Sequence, residues 1–184
     1  MFVASVRGKT GLGQWLPWLL MFQASLALAD WQREMPAARL VGGGDFTWFG
    51  FALYSARLWS PVAPPTWEQP FALDLTYHRE LTRETLVQAS LDEMRRIAGD
   101  SVDETRLARW EGEMRGAFVD VQPGQRITGL YLPGKGCRFY VDEQFHREVS
   151  DAAFARAFFA IWLDARSRAP RLRRALLGLN GASE

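Results

Sequence analysis

The sequence predicts an α+β domain in which antiparallel strands carry helices on one side. Three observations predict it. From Phe118 to Gly178 the chain reads turn, strand, tight turn, strand, aromatic-faced helix and a short helix opened by a proline. Phe71 to Leu81 alternates apolar and polar residues, the period of a strand with one covered face. Two stretches between them, 82–99 and 101–118, repeat apolar residues at helical spacing.

The N-terminus is a separate matter. Arg7 and Lys9 precede an uncharged apolar run from Trp15 to Ala29, and Ala27-Leu28-Ala29 supplies the small residues that signal peptidase requires. Pro17, Gln23 and Ser25 interrupt the run, which falls short of a membrane span of about 20 apolar residues. Residues 1–29 are therefore expected to be a signal peptide. Residues 30–184 then form one exported domain, periplasmic in location, with no stable membrane span after cleavage.

Composition bounds what that domain does. Removing the leader leaves 20 Lys and Arg against 21 Asp and Glu, so the formal net charge passes from +1 to −1. That balance argues against nucleic acid as a partner, which would call for a concentration of cations. Lys135 is the sole lysine after residue 29, so a buried anion would meet a guanidinium, which stays charged when desolvated. Cys137 stands alone, so no intrachain disulfide forms. At the start of a strand it reads as a small hydrophobe.

The elements follow in order. Gly42 to Gly44 are expected to break a first strand at a hairpin-like turn. Thr47 to Trp59 is apolar on both parities, which predicts one central strand covered on both faces. Within it Gly50 and Ala52 leave room beside Trp48 and Tyr54 for a backbone or a ligand. The Pro-rich segment Ser60 to Pro70 is a loop. In the next strand Phe71, Leu73, Leu75 and Tyr77 face the core, and Arg79 ends that same face.

Thr82 is placed to cap a helix whose stripe is Leu86, Ser90, Met94 and Ile97, with Gly99 past its end. Ser101-Val-Asp-Glu104 reads as a capping box for a helix buried through Leu107, Trp110, Met114 and Phe118. Arg126 to Leu132 and Cys137 to Val141 are strands joined by Pro133-Gly-Lys-Gly136. The helix from Asp151 to Leu163 buries Phe154, Phe158, Ile161 and Trp162. Pro170 opens the last helix and Gly178 follows it.

Taken together, Leu-Val-Gly-Gly-Gly (40–44), Trp-Phe-Gly-Phe-Ala-Leu-Tyr-Ser-Ala-Arg-Leu-Trp (48–59), Leu-Thr-Tyr-His-Arg-Glu (75–80), Pro-Gly-Gln-Arg-Ile (123–127), Phe-Ala-Arg-Ala-Phe-Phe-Ala-Ile-Trp-Leu (154–163) and Ala-Pro-x-Leu-Arg (169–173) carry a resemblance. In order and spacing they resemble the exported bacterial chalcone isomerase-like family over about residues 38 to 178. The resemblance implies an open-faced β-sandwich, an antiparallel sheet with helices packed on one face and a cleft between the layers. The superfamily holds enzymes that cyclise chalcones and non-catalytic relatives that bind fatty acids. Laid on the enzymes' strand, Tyr54 matches their tyrosine, but Phe49 stands where they carry a catalytic threonine. A phenyl ring cannot donate the hydrogen bond that stabilises developing negative charge.

Three functional readings are carried forward. The first is a non-catalytic protein that binds a small amphipathic ligand such as a fatty acid, with Tyr54, Tyr77 and Arg79 as the ligand-binding residues. A guanidinium and phenols at the mouth of an apolar cleft make a receptor for a carboxylate. The second is an isomerase, an intramolecular lyase acting on a chalcone-like carbonyl compound, for which His78 and His146 are the residues able to exchange protons near neutral pH. Both histidines are expected at the surface. The third is an envelope interaction module that uses Trp31, Trp59 and Trp67 as contact rings. No metal-ligand spacing, nucleotide fingerprint or nucleophile elbow occurs, so no cofactor and no metal are expected.

Overall fold

The structure, a computed structural model, describes residues 30–179. The leader expectation lies outside them. Six strands form one antiparallel sheet in which each strand lies beside the next in sequence: β1 (Arg39–Trp48), β2 (Phe51–Ser60), β3 (Phe71–Tyr77), β4 (Arg126–Leu132), β5 (Gly136–Val141) and β6 (Gln144–Val149). Alternating side chains of β2 to β5 place Ala56, Leu58, Phe71, Leu73, Leu75, Tyr77, Ile127, Tyr131, Cys137 and Phe139 on one face. Four helices cover that face: α2 (Arg83–Ala98), α3 (Glu104–Ala117), α4 (Ala152–Leu163) and α5 (Pro170–Leu176), with α1 (Asp30–Glu34) preceding the sheet.

The sheet differs from the sequence reading at its beginning. Gly42, Gly43 and Gly44 are mid-strand residues of β1, paired with Leu58, Arg57 and Ala56. The turn lies later, at Phe49 and Gly50, both with positive φ (+48° and +79°). Thr47 to Trp59 is therefore a hairpin and not one central strand. The glycines serve packing instead: a Cβ at Gly42 would lie 1.9 Å from the Ala175 carbonyl oxygen, so only glycine lets α5 lie on β1. β6 is an edge strand that pattern reading misses, because Gln-Phe-His-Arg-Glu-Val shows little apolar alternation.

The caps largely follow local chemistry. Thr82 Oγ1 accepts from the Thr85 amide at 3.2 Å, and Asp151 Oδ1 accepts from the Phe154 amide at 2.9 Å. The expected capping box at Ser101 and Glu104 gives way to Asp103, which accepts from the Arg106 amide, while Ser101 donates to the Ala98 carbonyl. Of the expected α2 stripe Met94 and Ile97 are buried, but in its first half Val87 and Leu91 take the core positions and Leu86 and Ser90 are half-buried.

α4 is apolar almost all round because it is clasped between sheet and helices. Phe154, Phe158, Phe159 and Trp162 are buried, whereas Ile161 is only half-buried. Phe159 lies over Gly129 of β4, where a Cβ would meet its ring at 2.9 Å. Each ring so buried contributes about 1.5–3 kcal/mol, which makes α4 the centre of the core.

α1 lies on the opposite sheet face, at one end. Trp31 and Met35 cover Ala72, Leu130 and Tyr140, and Glu34 accepts from the Tyr140 hydroxyl and from Arg138. Trp31 is thus core and not a contact ring. Among the described residues, no helix is long and apolar enough to cross a membrane.

Candidate functional site

Antiparallel register brings two of the three sequence-predicted residues together. Tyr54 and Tyr77 are direct partners on β2 and β3, with their rings edge-on at 5.9 Å. The Tyr54 hydroxyl accepts from the Trp162 indole N–H at 3.0 Å, a contact from sheet to α4. Burial raises both phenols far above their ordinary range. At Tyr54 the Trp162 hydrogen bond pulls the other way and the Glu93 charge adds to the rise. Both therefore stay protonated throughout the neutral range. Arg79 does not join them: it is exposed, with its guanidinium over the Phe51 ring at 4.6 Å.

An apolar groove opens at the other end of the same sheet face. Phe71 and Tyr77 are six residues apart on β3, so at about 3.4 Å per residue the groove and the phenol pair are separated by some 20 Å. The groove encloses about 280 Å³, with Trp67 and Phe71 along one wall and Leu163 and Leu177 along another. Among the described residues Arg173 of α5 is its sole charged lining residue. The guanidinium is held in place by its Nε, which donates to the Leu163 carbonyl at 2.8 Å, and it forms no ion pair among the described residues. Trp67, read from sequence as a contact ring, instead packs on Phe71 and Tyr131, and Arg156 lies over its outer face at 4.8 Å.

Sequence reading missed Arg173. Its signal is present in Pro-Arg-Leu-Arg-Arg-Ala-Leu-Leu, where Leu172, Leu176 and Leu177 set the apolar side of α5 and Arg173 falls at its margin. A second, wider depression of about 620 Å³ is bordered by Arg109, Glu113 and residues 149–153. It carries charges of both signs, which suits an amphipathic ligand less well.

The face away from the helices is polar near Asp45, Ser55 and His78. Ser55 Oγ lies 2.6 Å from Asp45 Oδ1 and 2.7 Å from His78 Nε2. Its one proton goes to the carboxylate, so His78 donates through that nitrogen and is not poised there as a base for Ser55. Both His78 and His146 are exposed, as expected. Cys137 is fully buried, and burial pushes its thiol up, which fits a packing role. Among the described residues no cluster could hold a metal ion.

The chalcone isomerase-like sequence model matches residues 47–178. This chain belongs to the chalcone isomerase-like family. An uncharacterised protein of Haemophilus influenzae is 25% identical over 161 residues, covering 87% of this chain and 74% of that one. Among solved structures, a fatty-acid binding protein of Arabidopsis thaliana superposes with a TM-score of 0.59 at 11% identity, over 77% of this chain and 87% of that one. At that identity the likeness is one of fold, and the open six-stranded sheet with helices on one side is the architecture expected of the family.

Family membership bears on Phe49, which the resemblance places where the enzymes carry a threonine. It occupies the exposed β1–β2 turn, five residues before the phenol that Trp162 engages.

Proposed function

We propose that this member of the chalcone isomerase-like family is an exported, periplasmic, non-catalytic protein that binds a small amphipathic carboxylate of the fatty-acid type. The carrying observation is Arg173, a guanidinium fixed by a backbone carbonyl at the margin of an apolar groove; among the described residues it makes no direct ion pair, the Asp164 carboxylate acting on it only from a distance. A charge-assisted, two-donor contact to a carboxylate is the strongest use of that geometry. The leader-like residues 1–29 support export, and the fatty-acid binding protein among the fold relatives supports the ligand class.

Groove size favours a short acyl chain. About 280 Å³ is at the lower end of small-molecule sites, which run from about 300 to 1,000 Å³. Catalysis has less to support it, because Phe49 offers no hydrogen-bond donor.

Calorimetric titration of delipidated protein with saturated acids of increasing length tests the reading. Octanoate or decanoate should bind saturably and more tightly than hexadecanoate, and R173Q should weaken binding by about tenfold to a hundredfold. Absence of saturable binding, or equal affinity in R173Q, contradicts it.

A further inference from the structure

The β1–β2 hairpin outruns the rest of the sheet. Pairing with β3 begins at Tyr54, which lies opposite Phe46, so beyond it Thr47 and Trp48 pair only with Ala52 and Phe51, and the His78 amide donates to the Leu53 carbonyl. At its tip Trp48, Phe49 and Phe51 are 51%, 85% and 58% exposed. A two-stranded overhang is marginal by itself, and exposed rings there contribute nothing to a core.

The turn makes this more pointed. Phe49 and Gly50 both have positive φ, the two-residue hairpin turn whose first position favours Asn, Asp or Gly. Phe49 is an unfavourable residue for that backbone, and among the described residues its one ring–ring contact is with Trp48, itself half exposed. Neither local conformation nor burial accounts for it. The tip is nonetheless firmly rooted, because ring contacts, edge-on or stacked, run from Phe49 to Trp48 (5.2 Å), Phe46 (6.5 Å), Tyr54 (5.1 Å) and Tyr77 (5.9 Å). Beside them the Arg79 guanidinium lies over Phe51 and forms no ion pair among the described residues.

We propose that this hairpin tip docks the protein onto an anionic lipid surface. Trp and Phe rings are well suited to the headgroup–acyl boundary, and a free guanidinium next to them meets lipid phosphate. The area at stake points the same way. Three exposed rings, each worth about 150–250 Å² when fully buried, fall short of the roughly 800 Å² per partner of a stable protein interface. A convex tip needs no hollow in a bilayer. The proposal does not depend on the Arg173 groove, which lies at the other end of the sheet.

Hydrogen exchange on the full chain, read peptide by peptide, tests it separately from any contribution of residues 1–29. With vesicles of phosphatidylglycerol and phosphatidylcholine, amides of residues 46–53 should exchange about tenfold more slowly. F49N places a favoured residue in the turn, so it should fold at least as well and lose this protection. R79Q should reduce the effect on anionic vesicles to the level seen with phosphatidylcholine alone. Unchanged exchange at 46–53, equal slowing in F49N, or protection that appears with rising protein concentration without lipid would overturn the proposal. The last outcome would assign the tip to a second copy of the chain.

Discussion

Gly42 lies directly beneath the Ala175 carbonyl, so close that a methyl group on its α carbon would come within 1.9 Å of the oxygen. The contact joins the first strand to the last helix, and so the two ends of the domain. Its requirement is space and not backbone freedom, since the obstacle is main chain that cannot rotate away.

G42A should therefore push α5 off β1, with a loss of stability of about 1–3 kcal/mol or more. G112A is the matched control. Gly112 is inside α3 with nothing within 4 Å of its missing side chain, so alanine there should stabilise the protein by about 0.5–1 kcal/mol. Urea denaturation of both variants checks the pair of opposite signs.

Tyr54 and Tyr77 are partners on adjacent strands, but their hydroxyls differ. Tyr54 accepts from the Trp162 indole, whereas the Tyr77 hydroxyl makes no hydrogen bond among the described residues. Y54F leaves a buried indole donor unmet and should cost about 1–3 kcal/mol. Y77F should cost clearly less, and thermal melts of the two variants measure the difference.

Asp74 lies on the sheet face away from the main helices and is 4% exposed. Burial holds its carboxyl above the ordinary range, against the opposing pull of Arg126, Arg57 and the Thr128 hydroxyl. A carboxyl raised on folding favours the folded state in its protonated form, and that contribution disappears as pH climbs through the folded value. D74N has no such loss. Its stability relative to the parent protein should rise from about pH 4 upward and persist at neutral pH. Denaturant midpoints across that range read the trend; a D74N protein weaker than the parent at neutral pH would show that Arg126 needs the charge.

Much of this architecture was legible in the chain because local chemistry and tertiary need agree. Thr82 caps a helix, Pro170 opens one, and Phe71 to Tyr77 alternates as a covered strand does. The misreadings occur where one residue type serves two ends. Glycines at 42–44 look like a turn but give α5 room, while the turn itself carries an unexpected phenylalanine. Parity set Tyr77 on the covered face of its strand, yet could not show Arg79 turning out to Phe51. Arg173 was beyond reach for another reason. Its place by Trp67 and Phe71 depends on how α5 sits against the sheet, which the Gly42–Ala175 contact decides across the whole domain.

The most direct measurement is photocrosslinking with a decanoate bearing a terminal diazirine, followed by peptide mapping. Binding at the Arg173 groove predicts adducts within residues 61–71 and 163–179, displaced by unlabelled decanoate and lost in R173Q. Adducts concentrated around Tyr54 and Tyr77, or labelling that unlabelled acid does not displace, would contradict it.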